Sequence, residues 1–280
     1  MKRVERAGSR ASKAGRLAII GGGNIGMALA RGLTAAGLYP ASRITLTRRQ
    51  AHLLEDAGRE GYRVQADNHD AVGRADVVVL AVQPQQVVPV LEEIRDDLSP
   101  GTHLVISLVS GVTIAELRRH LGKDVRIVRA MPNTAIAIRE SMTCLSSDGR
   151  TGGALDVAGR LFDAVGKTLV IPEELMIPAT ALCACGIAFF LRAIRAASQG
   201  GIEIGFHPEE ALLLAAQTAK GAASLLLTGP GHPESQIDRV TTPRGCTIAG
   251  LNHMEHEGFS SAMIKGITIS AEKAAHLYEG

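Results

Sequence analysis

Apolar and polar positions follow two different textures along this chain. From Leu17 to about Pro172, short apolar runs recur between stretches in which apolar residues fall at three-and-four spacing. The runs predict strands at Leu17–Ile20, Arg43–Thr47, Tyr62–Ala66, Asp76–Val82, His103–Val109, Arg126–Met131, Met142–Ser146 and Thr168–Ile171. The segment DVVVLAV is apolar nearly throughout, as a strand covered on both faces should be. Helices are predicted over 24–36, 50–60, 85–97, 113–121 and 151–164. Such alternation implies right-handed βαβ units, hence an α/β Rossmann domain with a doubly wound, mostly parallel sheet.

After Pro172 no convincing period-2 run remains. The pattern predicts helices near 174–199, 208–228, 243–257 and 259–278, punctuated by Gly200-Gly201 and by Thr228-Gly229-Pro230-Gly231. Helices this apolar in so short a stretch need something else to bury against, most simply a second copy of themselves. The expected organisation is a basic tail over 1–15, a cofactor domain over 16–172, and an all-α substrate and dimerisation domain over 173–280. Internal repeats and low-complexity segments are absent from the sequence.

Composition narrows the function classes. The chain has 280 residues with 46% hydrophobic and 21% charged, which excludes wholesale disorder. No apolar run approaches the ~18–20 residues of a membrane span, so no membrane partner is expected. The absence of Trp, with only three Tyr and five Phe, weakens any reading built on base stacking. The net charge of +2 conceals an asymmetry: residues 1–16 carry six basic residues and only Glu5 as an acid. The body is therefore mildly acidic, and no nucleic-acid partner is expected. The tail reads as a disordered extension, with a targeting peptide as the alternative. Cys144, Cys183, Cys185 and Cys246 show no Cys-x-x-Cys spacing and read as small buried thiols in a reducing cytoplasm. His253 and His256 fit no metal-binding spacing, so no metal is expected.

The first predicted strand runs directly into GGGNIG, residues 21–26, and then into a helical pattern. In this context the glycines acquire a mechanism. Gly21 permits a tight turn, Gly23 the close approach of a pyrophosphate, and Gly26 close helix–strand packing, while the helix N-terminus faces the phosphates. The second strand ends in Thr47-Arg48-Arg49, where an NAD site would place an acid. A guanidinium pairs bidentately with phosphate, so the expected cofactor is NADPH, held at its 2′-phosphate by Arg48, with NADH possible. Ligands of open α/β sheets sit beyond the carboxyl ends of the strands. The candidate cofactor set is therefore Gly21, Gly23, Asn24, Ile25, Gly26, Arg48, Asn68, Ala81, Val82, Gln83, Pro84, Leu108, Val109 and Ser110. A further tip, Met131-Pro132-Asn133-Thr134, joins this rim.

At this point the sequence resembles the pyrroline-5-carboxylate reductase family. The likeness rests on IIGGGNIGMALARGL (19–33), VVLAVQPQ (78–85), SGVTIAEL (110–117), RAMPNT (129–134) and VTTPRGCTIAGLNHME (240–255). It implies an NAD(P)H-dependent imine reductase that makes L-proline, the last step of proline biosynthesis. It further implies a helical domain interlocked with its dimer mate, and in some members assembly into decamers. A physical reading of 242–247 agrees. Thr242 is a good N-cap and Pro243 suits the first helical position. The N–H groups of Gly245, Cys246 and Thr247 would then receive the substrate carboxylate. The substrate set is thus Thr242, Gly245, Cys246 and Thr247, with Thr247 as the catalytic candidate, hydrogen-bonded to the ring nitrogen.

Three departures from the family pattern bear on the pocket: Gln83 for a usual Lys, Cys183-Ala184-Cys185-Gly186-Ile187-Ala188-Phe189 for a Ser- and Pro-containing stretch, and Arg244 for the first Gly of Pro-Gly-Gly. The alternatives are a related NADP-dependent enzyme acting on another cyclic imino or hydroxy acid, and a non-catalytic NADP-binding regulatory dimer.

Overall fold

The computed structural model describes residues 15–122, 124–149, 152–229 and 231–278. The predicted basic tail lies outside the described residues, Gly15 excepted. The chain divides into two compact units: the residues up to Ala184 together with those from Lys273 onward, and Cys185–Glu272.

The first unit is built on eight strands: β1 (Leu17–Ile20), β2 (Ile44–Thr47), β3 (Arg63–Gln65), β4 (Val77–Leu80), β5 (Leu104–Ser107), β6 (Arg126–Met131), β7 (Ser141–Ser146) and β8 (Gly166–Val170). They form one sheet in the order β3-β2-β1-β4-β5-β6-β7-β8. Its helices are α1 (Asn24–Ala35), α2 (Glu55–Arg59), α3 (Asn68–Gly73), α4 (Val87–Ile94), α5 (Ile114–Leu121), α6 (Ala154–Asp163) and α7 (Met176–Ala179). Neighbouring strands pair in parallel except β6 and β7. That antiparallel step arises because only a short 3-10 turn, Thr134–Ile138, separates the two strands, too little for a crossover.

Strands β1, β2, β4 and β5 are buried at every position. Alternate residues serve opposite faces. Leu17, Ile19, Val79 and Ile106 pack with Leu29, Leu33 and Phe162, while Ala18, Ile20, Val78 and Val105 pack with Val87, Leu91 and Leu117. Burial on both faces is why β1 and β4 are apolar throughout, while β2 alternates Ile44-Thr45-Leu46-Thr47 with both threonines buried. Helix α3, which the apolar pattern did not predict, is a short turn capped by the Asp67 carboxylate accepting from the Asp70 N–H at 3.2 Å.

The helical texture begins after Pro172 as expected, but the compact unit does not end there. Glu173 accepts a hydrogen bond from the Ile114 N–H at 2.6 Å and pairs with buried Arg129 at 3.1 Å. Met176 and Ala179 bury against Met131 and Cys144. Contacts therefore keep residues 173–184 with the sheet, and the predicted boundary at 172 marks a change of texture, with the compactness boundary further on. Between α7 and the next helix lies a π-helical stretch, Thr180–Cys185, where one long helix was predicted.

The second unit holds α8 (Gly186–Glu203), α9 (Pro208–Thr228), α10 (Pro233–Arg239), α11 (Cys246–His256) and the greater part of α12 (Phe259–Ala275). Helix α9 opens on a capping box between His207 and Glu210. Helices α8 and α9 meet through small residues: a Cβ on Gly201 would stand 3.1 Å from the Ala211 Cβ. Few side chains of this unit are buried, and large apolar ones stand in solvent, Leu213 and Leu227 each at 70% exposure. By length and composition alone, Glu173–Glu203 and Pro208–Thr228 are apolar enough to cross a membrane. This corrects the expectation that no such run exists. The first segment carries Glu173, Glu174, Arg192, Arg195 and Glu203 and the second Glu209, Glu210 and Lys220, charges that interrupt or bound the apolar run as read along the sequence.

Candidate functional site

The sheet order reverses its direction of winding between β1 and β4, the switch point at which open α/β sheets bind ligands. Parallel register brings the carboxyl ends of β2, β1, β4 and β5 side by side at Thr47, Ile20, Leu80 and Ser107, with Arg129 of β6 beside Ser107 and β6 running two residues further. The residues that follow, Gly21–Gly26, Arg48, Ala81–Pro84 and Leu108–Ser110, line one rim. The predicted cofactor residues of these loops are thus brought together.

The glycine turn is held from both sides. The N–H groups of Gly21 and Gly22 donate to the Thr47 carbonyl at 3.1 and 2.7 Å, which ties the loop to the residue before Arg48. Gly21 has φ +109, and a Cβ there would lie 2.5 Å from the Ala81 carbonyl oxygen. A Cβ on Gly26 would fall on the carbonyl oxygen of Gly21. Gly23 differs from both: its φ of −86 suits any residue, and a Cβ would meet no protein atom within 4 Å. The protein's own packing thus leaves the space beside Gly23 open, room enough for a pyrophosphate to lie against the backbone. The first turn of α1, Asn24, Ile25 and Gly26, has neither a side-chain cap nor an acidic residue, so its N–H groups present an uncompensated positive end.

Arg48 and Arg49 are both exposed, and their guanidinium groups have no hydrogen-bond or ion-pair partner among the described residues. Both stand free to meet a phosphate. Asn68 opens α3, and its amide donates to Glu93 at 2.9 Å, so half of that side chain is already engaged. Gln83 caps the short turn Pro84–Gln86 by backbone only, with its side chain exposed. Ser110 donates from Oγ to the Met131 sulfur at 3.9 Å, linking two of the rim loops. These residues fit NADP: a helix end and an open glycine for the pyrophosphate, and a guanidinium for the 2′-phosphate. A separate cleft of about 580 Å³, lined by Arg16, Arg43, Arg63, Arg74 and Asp76 among others, lies at the opposite, N-terminal ends of the strands.

The substrate candidates lie in the second unit, and their local structure corrects one expectation. Thr242 does not cap α11. The helix starts at Cys246 with Gly245 as its N-cap, and no side chain caps it. Thr242-Pro243-Arg244-Gly245 instead form a tight turn closed by the Gly245 N–H donating to the Thr242 carbonyl at 2.9 Å. Pro243 occupies the second turn position, where its fixed φ belongs, and Arg244 the third, with φ +60. The family's first glycine stands where the turn demands a left-handed residue, and this chain places Arg there at a cost of about 1 kcal/mol. Gly245 sits close against the turn, where a Cβ would lie 2.5 Å from the Thr242 Oγ1 and 3.0 Å from the Thr242 carbonyl oxygen. Since the Gly245 N–H is spent in the turn, the N–H groups of Cys246 and Thr247 remain at the start of α11 from the expected carboxylate set. The first turn of α11 has no acid. Thr247 is partly exposed and Cys246 exposed.

Two features escaped the sequence reading. Arg129, within RAMPNT, is 3% exposed and its charge is matched by Glu173, forty-four residues away. Burial pushes the Arg129 pKa down, and the bond to Glu173 opposes this. The left-handed Arg244 was visible only as a departure from a glycine. Among the described residues no group of three or more His, Cys, Asp or Glu is placed to hold a metal ion.

Fold and rim together define an NADP-dependent oxidoreductase with a Rossmann unit and a helical unit. Residues 16–111 match the family model described as NADP oxidoreductase, coenzyme F420-dependent, and residues 173–277 match the one described as pyrroline-5-carboxylate reductase dimerisation. Pyrroline-5-carboxylate reductase 2 of Dictyostelium discoideum is 49% identical over 275 residues, covering 92% of each chain. Pyrroline-5-carboxylate reductase 1 of the same organism is 54% identical over 274 residues. That match covers 94% of this chain and 50% of the relative, so the chain spans half that relative's length. The solved pyrroline-5-carboxylate reductase of Coxiella burnetii superposes with a TM-score of 0.85 at 33% identity, covering 96% of this chain and 100% of that one. The chain belongs to the pyrroline-5-carboxylate reductase family.

Proposed function

We propose that this chain reduces the C=N bond of Δ1-pyrroline-5-carboxylate to L-proline with NADPH. The observation that carries the reading is the 49% identity to a pyrroline-5-carboxylate reductase across 92% of both chains. The rim at the β1–β4 switch point supports it independently. When bound, NADPH supplies a hydride from C4 of its nicotinamide ring.

The chain's own residues have three tasks. The first turn of α1, with Gly23, would hold the pyrophosphate, and Arg48 would hold the 2′-phosphate. The N–H groups of Cys246 and Thr247, at the positive end of α11, hold the substrate carboxylate. The Thr247 hydroxyl hydrogen-bonds the ring nitrogen and orients the C=N bond. As hydride arrives at C5, the C=N electron pair moves onto nitrogen, which becomes an amine if the imine entered protonated. No carboxylate or histidine is assigned as general acid, because an iminium carries its proton in from solution.

The second unit supports a homodimer, since its large apolar side chains are exposed and it matches a dimerisation family. Decamers are the larger assembly we infer, and the four free cysteines support a reducing, cytoplasmic setting.

Purified protein with NADPH and pyrroline-5-carboxylate should oxidise NADPH and form proline in equal amounts. No oxidation at millimolar substrate would sink the reading, and oxidation only with other imines or hydroxy acids would reassign the substrate. Thr247→Ala should lower kcat at least tenfold, about 1.4 kcal/mol of lost transition-state stabilisation, with the NADPH affinity unchanged. An unchanged kcat would remove Thr247 from the chemistry.

A further inference from the structure

Two thiols that the proposed reaction does not use lie together in the first unit. Cys144 on β7 is 4% exposed and Cys183, in the π-helical stretch 180–185, is partly buried. Their sulfurs stand 4.0 Å apart although thirty-nine positions separate them in sequence. Met131, Met176 and Ala179 complete a small apolar cluster around them. The Cys183 backbone is itself held, its carbonyl accepting from the Asn133 amide at 3.3 Å.

We propose that Cys144 and Cys183 form a modification site that closes to an intramolecular disulfide on reaction with a hydroperoxide. A disulfide needs sulfurs at about 2.05 Å, so the pair must close by roughly 2 Å. The roles of the two sulfurs follow from their surroundings. The hydrogen bond from Cys144 holds the Cys183 thiol down to about 7, against burial, which works in the other direction. The same bond, with burial, pushes Cys144 up. Cys183 therefore supplies the thiolate that attacks, and Cys144 the thiol that resolves.

The step balances with hydrogen peroxide as the oxidant. The Cys183 thiolate attacks one peroxide oxygen and the O–O bond breaks, leaving a sulfenic acid and a hydroxide that takes up a proton as water. The Cys144 sulfur then attacks the sulfenic sulfur, and its proton leaves with the displaced hydroxide as a second water. Two thiols lose two electrons, and one peroxide gains them. The product would tie β7 to the π-helical stretch, in place of the present sulfur–sulfur hydrogen bond.

The full chain, reduced and then treated with stoichiometric hydrogen peroxide, tests this by digestion with trypsin without reduction. The expected product is a cross-link between peptide 140–150, which holds Cys144, and peptide 168–192, which holds Cys183 and Cys185. It should disappear on treatment with dithiothreitol. Cys185→Ser should keep the cross-link, while Cys183→Ser and, separately, Cys144→Ala should each abolish it with the circular dichroism unchanged. If Cys144→Ala does not fold, Cys183→Ser alone decides. Recovery of the two peptides apart with both thiols still open to alkylation would overturn the proposal, as would a cross-link that survives Cys183→Ser.

Discussion

A Cβ on Gly26 would collide with the Gly21 carbonyl, whereas a Cβ on Gly23 would meet nothing. The two positions are therefore separable by mutation, although both belong to one motif. Gly26→Ala should destabilise the fold by about 2 kcal/mol through overpacking against the backbone. Gly23→Ala should leave the thermal midpoint within a degree or two and weaken NADPH binding at least tenfold, read by fluorescence titration. NADPH binding unchanged in Gly23→Ala would mean that the pyrophosphate lies elsewhere. At this scale the sequence was informative where structure is local: the G-x-G-x-x-G turn between β1 and α1 and the exposed Arg48 after β2 could be read from neighbours. It was uninformative where a role depends on distant partners. Nothing around Arg129 announces Glu173, and nothing around Cys144 announces Cys183. The N-cap at Thr242 was misassigned because the Thr-Pro pair suits a capped helix and a tight turn equally, and only the left-handed Arg244 distinguishes them.

Among elements, those with the densest apolar pattern were legible. Strands β1 and β6 and helix α9 coincide with their predicted spans: LAII is wholly apolar and runs into the glycines, RIVRAM stops at Pro132, and α9 runs from Pro208 to the residue before Gly229. Helices α3 and α10 were missed because each is a short turn fixed by its caps, Asp67 for one and His232 with Pro233 for the other. The π-helical stretch was hidden inside a continuous helical pattern, because periodicity does not resolve one extra residue in a turn. The segment 173–184 owes its place to Glu173. Its carboxylate serves a buried guanidinium and the first N–H of α5. Glu173→Ala leaves Arg129 buried and unpaired, and its own partial exposure moderates the loss. The expected cost is about 2 kcal/mol, seen as a thermal midpoint lower by about 5 °C in calorimetry. An unchanged midpoint would show that water replaces the carboxylate without cost.

For the whole molecule, the apolar pattern after Pro172 pointed to burial against a second copy, and the second unit leaves Leu213, Leu227, Ile264 and Ile269 in solvent within one chain. Sedimentation equilibrium should give twice the chain mass of 29.4 kDa or a multiple of it. Leu213→Lys should shift the protein toward lower mass and lower activity together. A fully active 29.4 kDa monomer would contradict the dimer. The proposed reaction moves a hydride from C4 of NADPH to C5 of the imine. NADPH carrying deuterium at the transferred position of C4 tests it, with proline analysed by mass spectrometry. The account predicts one deuterium per proline, located at C5. Proline formed without deuterium, or no proline formed while NADPH is consumed, would contradict it.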